Sequence, residues 1–369
     1  MIDAQLFVEK LLKEGVNFFA GVPDSLLKGF NTCLQTLSPN QHQITVNEGA
    51  AVAIAAGHYL ATGRTPVVYL QNSGLGNIIN PLTSLIDPQA YSIPLLFLIG
   101  WRGQPGKKDE PQHLKMGRVT LPLLEALELP YKILSIDESN HWDTDIEEAM
   151  QYCKDYSAPF ALVVESGYFA GGDLPMQADY ELSAEMVLEE LIQIVSPDSK
   201  MVCTTGKIGR LYYELAKKNA APPFFLNTGA MGHAGSLAAA LAMHSNKEII
   251  LLDGDGSLLM HMGAMATIGS LSLNRLHYIV LNNGVHESVG GQPTAGFKIN
   301  FCDVATACGF TKVSRVVSKA DIQSCFQQKE QTSRFTEIRI NSFVRNDLSR
   351  PTESPIEMKK TFMQSFQSE

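Results

Sequence analysis

Short apolar runs of strand length alternate with helix-period segments along the chain, and the alternation runs twice, separated by one polar break. Apolar runs of this kind belong to strands buried on both faces, as in parallel sheets, and parallel strands need the crossovers that intervening helices supply. The opening helix sets the pattern. Ala4, Phe7, Val8, Leu11 and Leu12 recur at helical spacing, with Asp3 placed to cap the start and Gly15 to end it. Strand-like runs follow at 17–21, 43–46, 66–71, 95–100 and 160–165, with helices over 26–34 and 48–60. The stretch 171–183 is polar, carries Gly-Gly and Pro, and has no period, which marks a linker. Beyond it the alternation restarts with helices at 185–195, 211–216, 238–244, 262–271, 304–308 and 320–328. The strands between them fall at 201–204, 224–226, 249–252, 278–281, 313–316 and 335–340. The expected fold is α/β, two doubly wound parallel-sheet domains over 1–175 and 183–369.

Charge narrows the partners. With 29 Lys and Arg against 38 Asp and Glu, the formal net charge is −9, which lacks the basic excess that binding a phosphate backbone requires. A small-molecule ligand is expected and a nucleic acid is not. The six cysteines, Cys33, Cys153, Cys203, Cys302, Cys308 and Cys325, are scattered without a CxxC and read as buried thiols of a reducing compartment. The first residues mix acids and bases through their apolar positions, unlike a signal peptide. The longest apolar run, near 93–101, is too short to cross a bilayer. These features together predict a cytoplasmic protein.

The strongest local signal is Asp253-Gly254-Asp255-Gly256-Ser257 directly after one apolar strand, with Asn282-Asn283-Gly284 at the end of the next. Ligands of open parallel sheets collect outside the carboxyl ends of strands, and both motifs sit there. The glycines let backbone amides approach a phosphate, while Asp255 and an Asn amide supply hard oxygens suited to Mg²⁺. Asp-Gly alone is also ordinary turn chemistry. An EF-hand is set aside by Leu258 and Ala264 at its diagnostic positions, and neither a P-loop nor a dinucleotide fingerprint is present.

Asp-Gly-Ser followed at this distance by Asn-Asn resembles the cofactor signature of thiamine-diphosphate-dependent enzymes. The resemblance implies that Asp255, Asn283 and the backbone oxygen of Val285 bind Mg²⁺, and that Gly206, Gly254, Gly256 and Ser257 help hold the diphosphate. Gly229-Ala230-Met231-Gly232 is similar to the family segment whose large apolar side chain wedges between the cofactor rings, which implies Met231 as the wedge and Gly229 as a pyrimidine contact. A core methionine is the alternative for Met231. Val46-Asn47-Glu48-Gly49-Ala50 looks like the family's activating-acid segment, so Glu48 is implied to hydrogen-bond the aminopyrimidine. A glutamate at a helix start can equally serve the helix dipole. The two domains then correspond to pyrimidine-binding and diphosphate-binding modules.

Further segments narrow the resemblance to the phosphonopyruvate decarboxylase family, close to the sulfopyruvate decarboxylases. They are Gly21-Val22-Pro23-Asp24-Ser25, Gln71-Asn72-Ser73-Gly74-Leu75-Gly76-Asn77, Gly100-Trp101-Arg102-Gly103, Asp109-Glu110-Pro111-Gln112-His113, 288–294 and Ser349-Arg350-Pro351-Thr352. The chain also lacks the middle domain of longer thiamine-dependent decarboxylases. What the resemblance implies is Mg²⁺- and thiamine-diphosphate-dependent decarboxylation of 3-phosphonopyruvate to phosphonoacetaldehyde, in phosphonate biosynthesis, by a homodimer or higher even oligomer with active sites between chains. Asp24, Asn72, His113 and His286 join Glu48 as candidates for positioning and proton transfer. Asn72 departs from the pattern of aromatic 2-keto acid decarboxylases, which carry a histidine there.

An anionic substrate needs cations or backbone donors. Ser25, Arg102, His113 and Arg345 are the candidates, from loops that also hold Lys107, Lys108 and Arg350; loop cations are more commonly solvated. Sulfopyruvate is the alternative substrate, and a carboligase is disfavoured by the missing middle domain. A non-catalytic cofactor-binding protein would keep the metal motif without the acid, and Glu48 is present.

Overall fold

A computed structural model of the 369-residue chain describes residues 1–137, 141–172, 174, 180–327, 332–342, 345 and 347–367. It divides into two compact units: Met1–Pro175 with Ser288–Pro293, and Met176–Glu287 with Thr294–Glu369.

In the first unit, helix α1 (Ala4–Lys13) begins at Asp3, whose side chain accepts from the Gln5 amide, and places Ala4, Phe7, Val8 and Leu11 inside. The strands are β1 (Phe19–Gly21), β2 (His42–Ile44), β3 (Val67–Gln71), β4 (Leu96–Gly100), β5 (Tyr131–Leu134) and β6 (Phe160–Val164). They form one parallel sheet in the order β2-β1-β3-β4-β6-β5. Helices α2 (Lys28–Leu34), α3 (Glu48–Thr62), α4 (Leu75–Pro81), α5 (Pro111–Ala126) and α6 (Trp142–Tyr156) cover it. Successive side chains of a strand point to opposite faces. Accordingly Leu96 and Leu98 of β4 enter the core with Phe7, Phe30 and Tyr69, while Phe97 and Ile99 enter the other with Ala51, Val68 and Leu70. Strand β5 was not legible in the sequence. It is a four-residue edge strand, buried only at Leu134, and too short to show a period.

The second unit repeats the plan. Helix α7 (Ala184–Ile194) is capped by Ser183, and strands β7 (Lys200–Cys203), β8 (Phe224–Leu226), β9 (Ile249–Gly254) and β10 (Leu276–Asn282) follow. The two-residue strand β11 (Val285–His286) follows, then, beyond the first unit's β12 (Gln292–Pro293), come β13 (Lys312–Val316) and β14 (Arg334–Arg339). The six-stranded sheet is parallel, in the order β13-β14-β10-β9-β7-β8. Its helices are α8 (Lys207–Lys218), α9 (Ala234–His244), α10 (Asp255–Met260), α11 (Ala264–Ser270), α12 (Phe301–Cys308), α13 (Lys319–Gln327) and α14 (Pro355–Gln364).

The helix expected over 262–271 is present as α11, and a separate helix, α10, begins at Asp255 itself, so the Asp-Gly motif opens a helical turn that buries Leu258, Leu259 and Met260. All six cysteines are free, but only Cys153 and Cys203 are buried. The proposed linker at 171–183 lies largely outside the described residues. Among the described residues no helix is long and apolar enough to cross a membrane.

Candidate active site

Four neighbouring strands of the first sheet, β2, β1, β3 and β4, deliver Glu48, Asp24, Asn72 and Arg102 from their carboxyl ends. Open parallel sheets bind ligands at this edge. Asn47 caps α3 by accepting from the Ala50 amide, which places Glu48 in the first helical turn. Glu48 is 4% exposed, and Asn77 Nδ2 donates to its Oε2 at 2.6 Å. A Cβ at residue 74 would stand 2.2 Å from Glu48 Oε1, so only glycine leaves room for the carboxyl. Burial raises the Glu48 pKa above the usual carboxylate value, and the Asn77 hydrogen bond opposes that rise.

Asp24 is fully buried, and its Oδ2 has no hydrogen-bond partner among the described residues. Burial pushes its carboxyl up to about 6 against the pull of Arg102 and the local amides. Gly100 at the end of β4 makes the space, since a Cβ there would lie 1.9 Å from Oδ2. Asn72 is engaged on every side: Nδ2 donates to the Arg102 carbonyl at 2.8 Å and to Thr120 Oγ1 at 2.9 Å, and Oδ1 accepts from the Arg102 amide at 3.1 Å. Its side chain is a clip on residue 102. Arg102 binds Asp109 and Ser25. His113 starts α5 nearby with no hydrogen-bond partner for its ring among the described residues, and burial lowers its pKa.

The second unit builds its cluster the same way, from β8, β7, β9 and β10. The β7–α8 turn reaches Gly206, whose φ of +90° few side chains tolerate, and Thr205 Oγ1 ties this turn to the Thr228 carbonyl at 2.8 Å. Asn227 Nδ2 donates to the Ala230 carbonyl and the Met231 amide to that of Gly229. Met231 reaches Gly256, its Cε standing 3.6 Å from where a Cβ on that glycine would be. The two acids of the Asp-Gly-Asp motif divide their work. Asp253 accepts from Tyr278 Oη at 2.8 Å and from the Gly254 amide at 3.0 Å. Ser257 lies between Thr204 Oγ1 at 2.9 Å and the Gly232 amide at 3.1 Å, so its hydroxyl knits strand ends together.

Asp255 is 2% exposed and accepts from Thr294 Oγ1. Burial pushes it up to about 7 even though the amides of Asn283 and Gly256 also donate to it. No basic side chain pairs with it among the described residues, which suits an acid that meets a cation. Asn283 is brought beside it: its amide serves Asp255, its Nδ2 donates to Glu287 at 3.1 Å and its Oδ1 accepts from the Val285 amide at 3.1 Å. Among the described residues no three His, Cys, Asp or Glu gather into a protein cage. A Mg²⁺ ion that takes phosphate oxygens and water needs only one or two carboxylates, and the donor set Asp255, Asn283 and the Val285 carbonyl fits that chemistry. His286 packs on Gly256, and burial pulls its pKa down to about 4, so the ring is neutral at pH 7. Arg345 belongs to the second unit and is engaged by acids. It pairs with Glu214 at 2.7 Å, two turns along α8 from Gly206, and with Glu185 and Asp347.

Residues 204–340 match the family model described as thiamine pyrophosphate enzyme, C-terminal TPP binding domain, and residues 3–119 match its N-terminal TPP binding domain counterpart. A phosphonopyruvate decarboxylase of Streptomyces viridochromogenes is 32% identical over 98% of this chain and 94% of its own length. One from Streptomyces hygroscopicus is 33% identical over 87% and 83%. The chain belongs to the phosphonopyruvate decarboxylase family of thiamine pyrophosphate enzymes. It is therefore an enzyme, a carboxy-lyase. A sulfopyruvate decarboxylase of Methanosarcina acetivorans is 27% identical over 87% of this chain and 86% of its own.

Against this family membership, the cofactor-facing candidates Glu48, Met231, Asp255 and Asn283 stand at strand ends or first helical turns. Asn77, Thr120, Thr294 and Asp109 are additional polar partners, three of them inside segments already quoted for the resemblance. Nothing in the sequence says that a given Asn or Thr faces a carboxylate, because each pairing joins residues from different strand ends.

Proposed function

We propose that this member of the phosphonopyruvate decarboxylase family converts 3-phosphonopyruvate to phosphonoacetaldehyde and CO₂ with thiamine diphosphate and Mg²⁺, as a step of phosphonate biosynthesis. The observation that carries the reading is the pair of strand-end clusters: a buried, glycine-cradled acid at Glu48 in one unit, and an Asp255–Asn283 oxygen set in the other. When bound, thiamine diphosphate supplies the electron sink for loss of the carboxylate. Glu48 would hold a proton against the aminopyrimidine, and burial raises its pKa in the direction that favours the protonated form. Met231 and Gly229 would shape the cofactor, and Asp255, Asn283 and Val285 would hold the metal. Asp24, with one oxygen unpartnered, is suited to hold or release a proton near the reacting carbon, and Arg102 with Ser25 to bind the phosphonate.

Assembly is part of the proposal. Helix α3 is apolar on nearly all sides, yet Ile54 is 45% and Leu60 70% exposed. A helix of that composition belongs in an interior. We assign its outer face to a second copy of the chain, in a homodimer or larger even assembly in which the acid of one chain and the metal set of another serve one cofactor.

The test is an aldehyde-release assay with 3-phosphonopyruvate, with and without thiamine diphosphate and Mg²⁺. Cofactor-dependent release of phosphonoacetaldehyde is expected, and none with both cofactors present would overturn the reading. Sulfopyruvate in parallel separates the alternative that the Methanosarcina relative raises.

A further inference from the structure

We propose that Asp109 is a positioning residue that sets the plane of the Arg102 guanidinium, leaving two of its N–H groups to grip a tetrahedral oxyanion of the substrate. The inference deepens the proposed activity and rests on the substrate's being an anion-bearing 2-keto acid.

A guanidinium carries five N–H donors. Arg102 uses three: Nε to Asp109 Oδ2 at 2.8 Å, Nη2 to Asp109 Oδ1 at 2.5 Å and Nη1 to Ser25 Oγ at 2.9 Å. Two remain, and a pair of guanidinium N–H groups matches two oxygens of a phosphonate or sulfonate. Asp109 is itself immobilised, because Oδ2 also accepts from the Gly103 amide and Oδ1 from the Glu110 amide, both at 2.7 Å. Partial burial works against ionisation, yet the guanidinium and these amides hold the carboxyl well below its usual range. The acid is therefore a permanently charged frame for the cation.

The backbone of residue 102 is fixed independently. Asn72 holds its N–H and its carbonyl at once, adding a side-chain rung beyond the β3–β4 ladder that ends at Gln71 and Gly100. Its two N–H donors and its oxygen are all engaged, which suits it to holding Arg102 and not to moving a proton. Ser25 and the unpartnered ring of His113 lie beside the guanidinium, at the sheet edge where ligands collect.

The experiment titrates methylphosphonate and methanesulfonate into the full-length protein by calorimetry and follows 3-phosphonopyruvate kinetics for the same variants. Methylphosphonate is expected to bind the wild type, and Asp109→Asn and Arg102→Gln should each weaken it by about tenfold or more, the loss of one charge-assisted contact. The double variant should be no weaker than Arg102→Gln alone. The KM should rise by the same factor while kcat changes less than threefold, the pattern of lost uniform binding. Asp109→Glu, which keeps the charge and serves if Asp109→Asn does not fold, should show an intermediate loss. Tighter methanesulfonate than methylphosphonate binding assigns the site to a sulfonate with Asp109 in the same role. Neither anion binding the wild type, Asp109→Asn leaving affinity and KM within about twofold, or a fall in kcat at unchanged KM would each overturn the proposal. Anion binding lost in the variants of a protein that decarboxylates neither substrate would refute the proposed activity and leave Asp109 in its role.

Discussion

Asn77 Nδ2 donates to Glu48 Oε2 at 2.6 Å, joining the first turns of two helices that share one core, α4 and α3, beside Gly74, where a side chain would collide with the acid. The contact fixes which way the buried acid faces and opposes the rise that burial imposes on its pKa. Glu48→Gln should lower kcat by at least about 100-fold, the usual worth of a positioned acid or base, with little change in melting temperature. Asn77→Ala removes an interaction that favours the ionised form. Because the protonated form of Glu48 is the working one, the alkaline limb of the pH–rate profile should move to higher pH, and a limb that stays in place would detach Asn77 from the acid.

Asp24 gives a pH-dependent stability with a definite sign. Its carboxyl is raised from 3.8 to about 6 in the folded chain, so the folded state holds the proton more tightly than the unfolded one. Stability from this group is full below pH 4, falls as the pH rises through 4 to 6, and the loss is roughly 3 kcal/mol at most. Asp24→Asn should be more stable than the wild type at pH 8 and equal to it near pH 3.5 in urea melts, while its turnover falls.

Gly100→Ala would drive a methyl group to 1.9 Å from Asp24 Oδ2, which lies in a packed interior. A destabilisation of about 1–3 kcal/mol is expected, together with loss of activity. An Ala variant as stable and active as the wild type would show that the carboxyl relocates freely.

Metal removal should act through Asp255. Chelation with EDTA is expected to abolish activity and Mg²⁺ to restore it, and Asp255→Asn should need at least tenfold more Mg²⁺ for half-maximal activity. Thiamine diphosphate with Mg²⁺ should also raise the melting temperature of the wild type and not that of Asp255→Ala, because a ligand bound only by the folded state stabilises it.

Sedimentation velocity tests the assembly. The chain should run as a dimer or larger even species, and Leu60→Glu with Ile54→Glu on the exposed face of α3 should shift it toward monomer and reduce activity. A fully active monomer would refute the shared site.

The strand–helix alternation of both halves was legible because each inner strand is buried on both faces and carries a continuous apolar run, as at 96–100 and 278–281. Edge strand β5 and the helical start at Asp255 were not, since a half-exposed four-residue strand has no usable period and a Gly-containing acidic turn reads as a loop. Glu48, Asp255 and Asn283 could be singled out because each stands in a local motif. That Glu214 on α8 engages Arg345 was not legible either, because only folding brings the two together.

The amino-acid order by itself determined two parallel α/β layers, the strand ends at which chemistry gathers, and the family signature those ends carry, because these depend on periodicity and on residues near one another in the chain. Tertiary structure alone decided the pairings: Asn77 with Glu48, Gly100 with Asp24, Thr294 with Asp255, and Asn72 and Asp109 with Arg102. All but the Asp109–Arg102 pair, which closes within the β4–α5 loop, bring together side chains or backbone from separate loops, and the depth at which each is buried, which sets its pKa and its freedom, is a property of the packed fold.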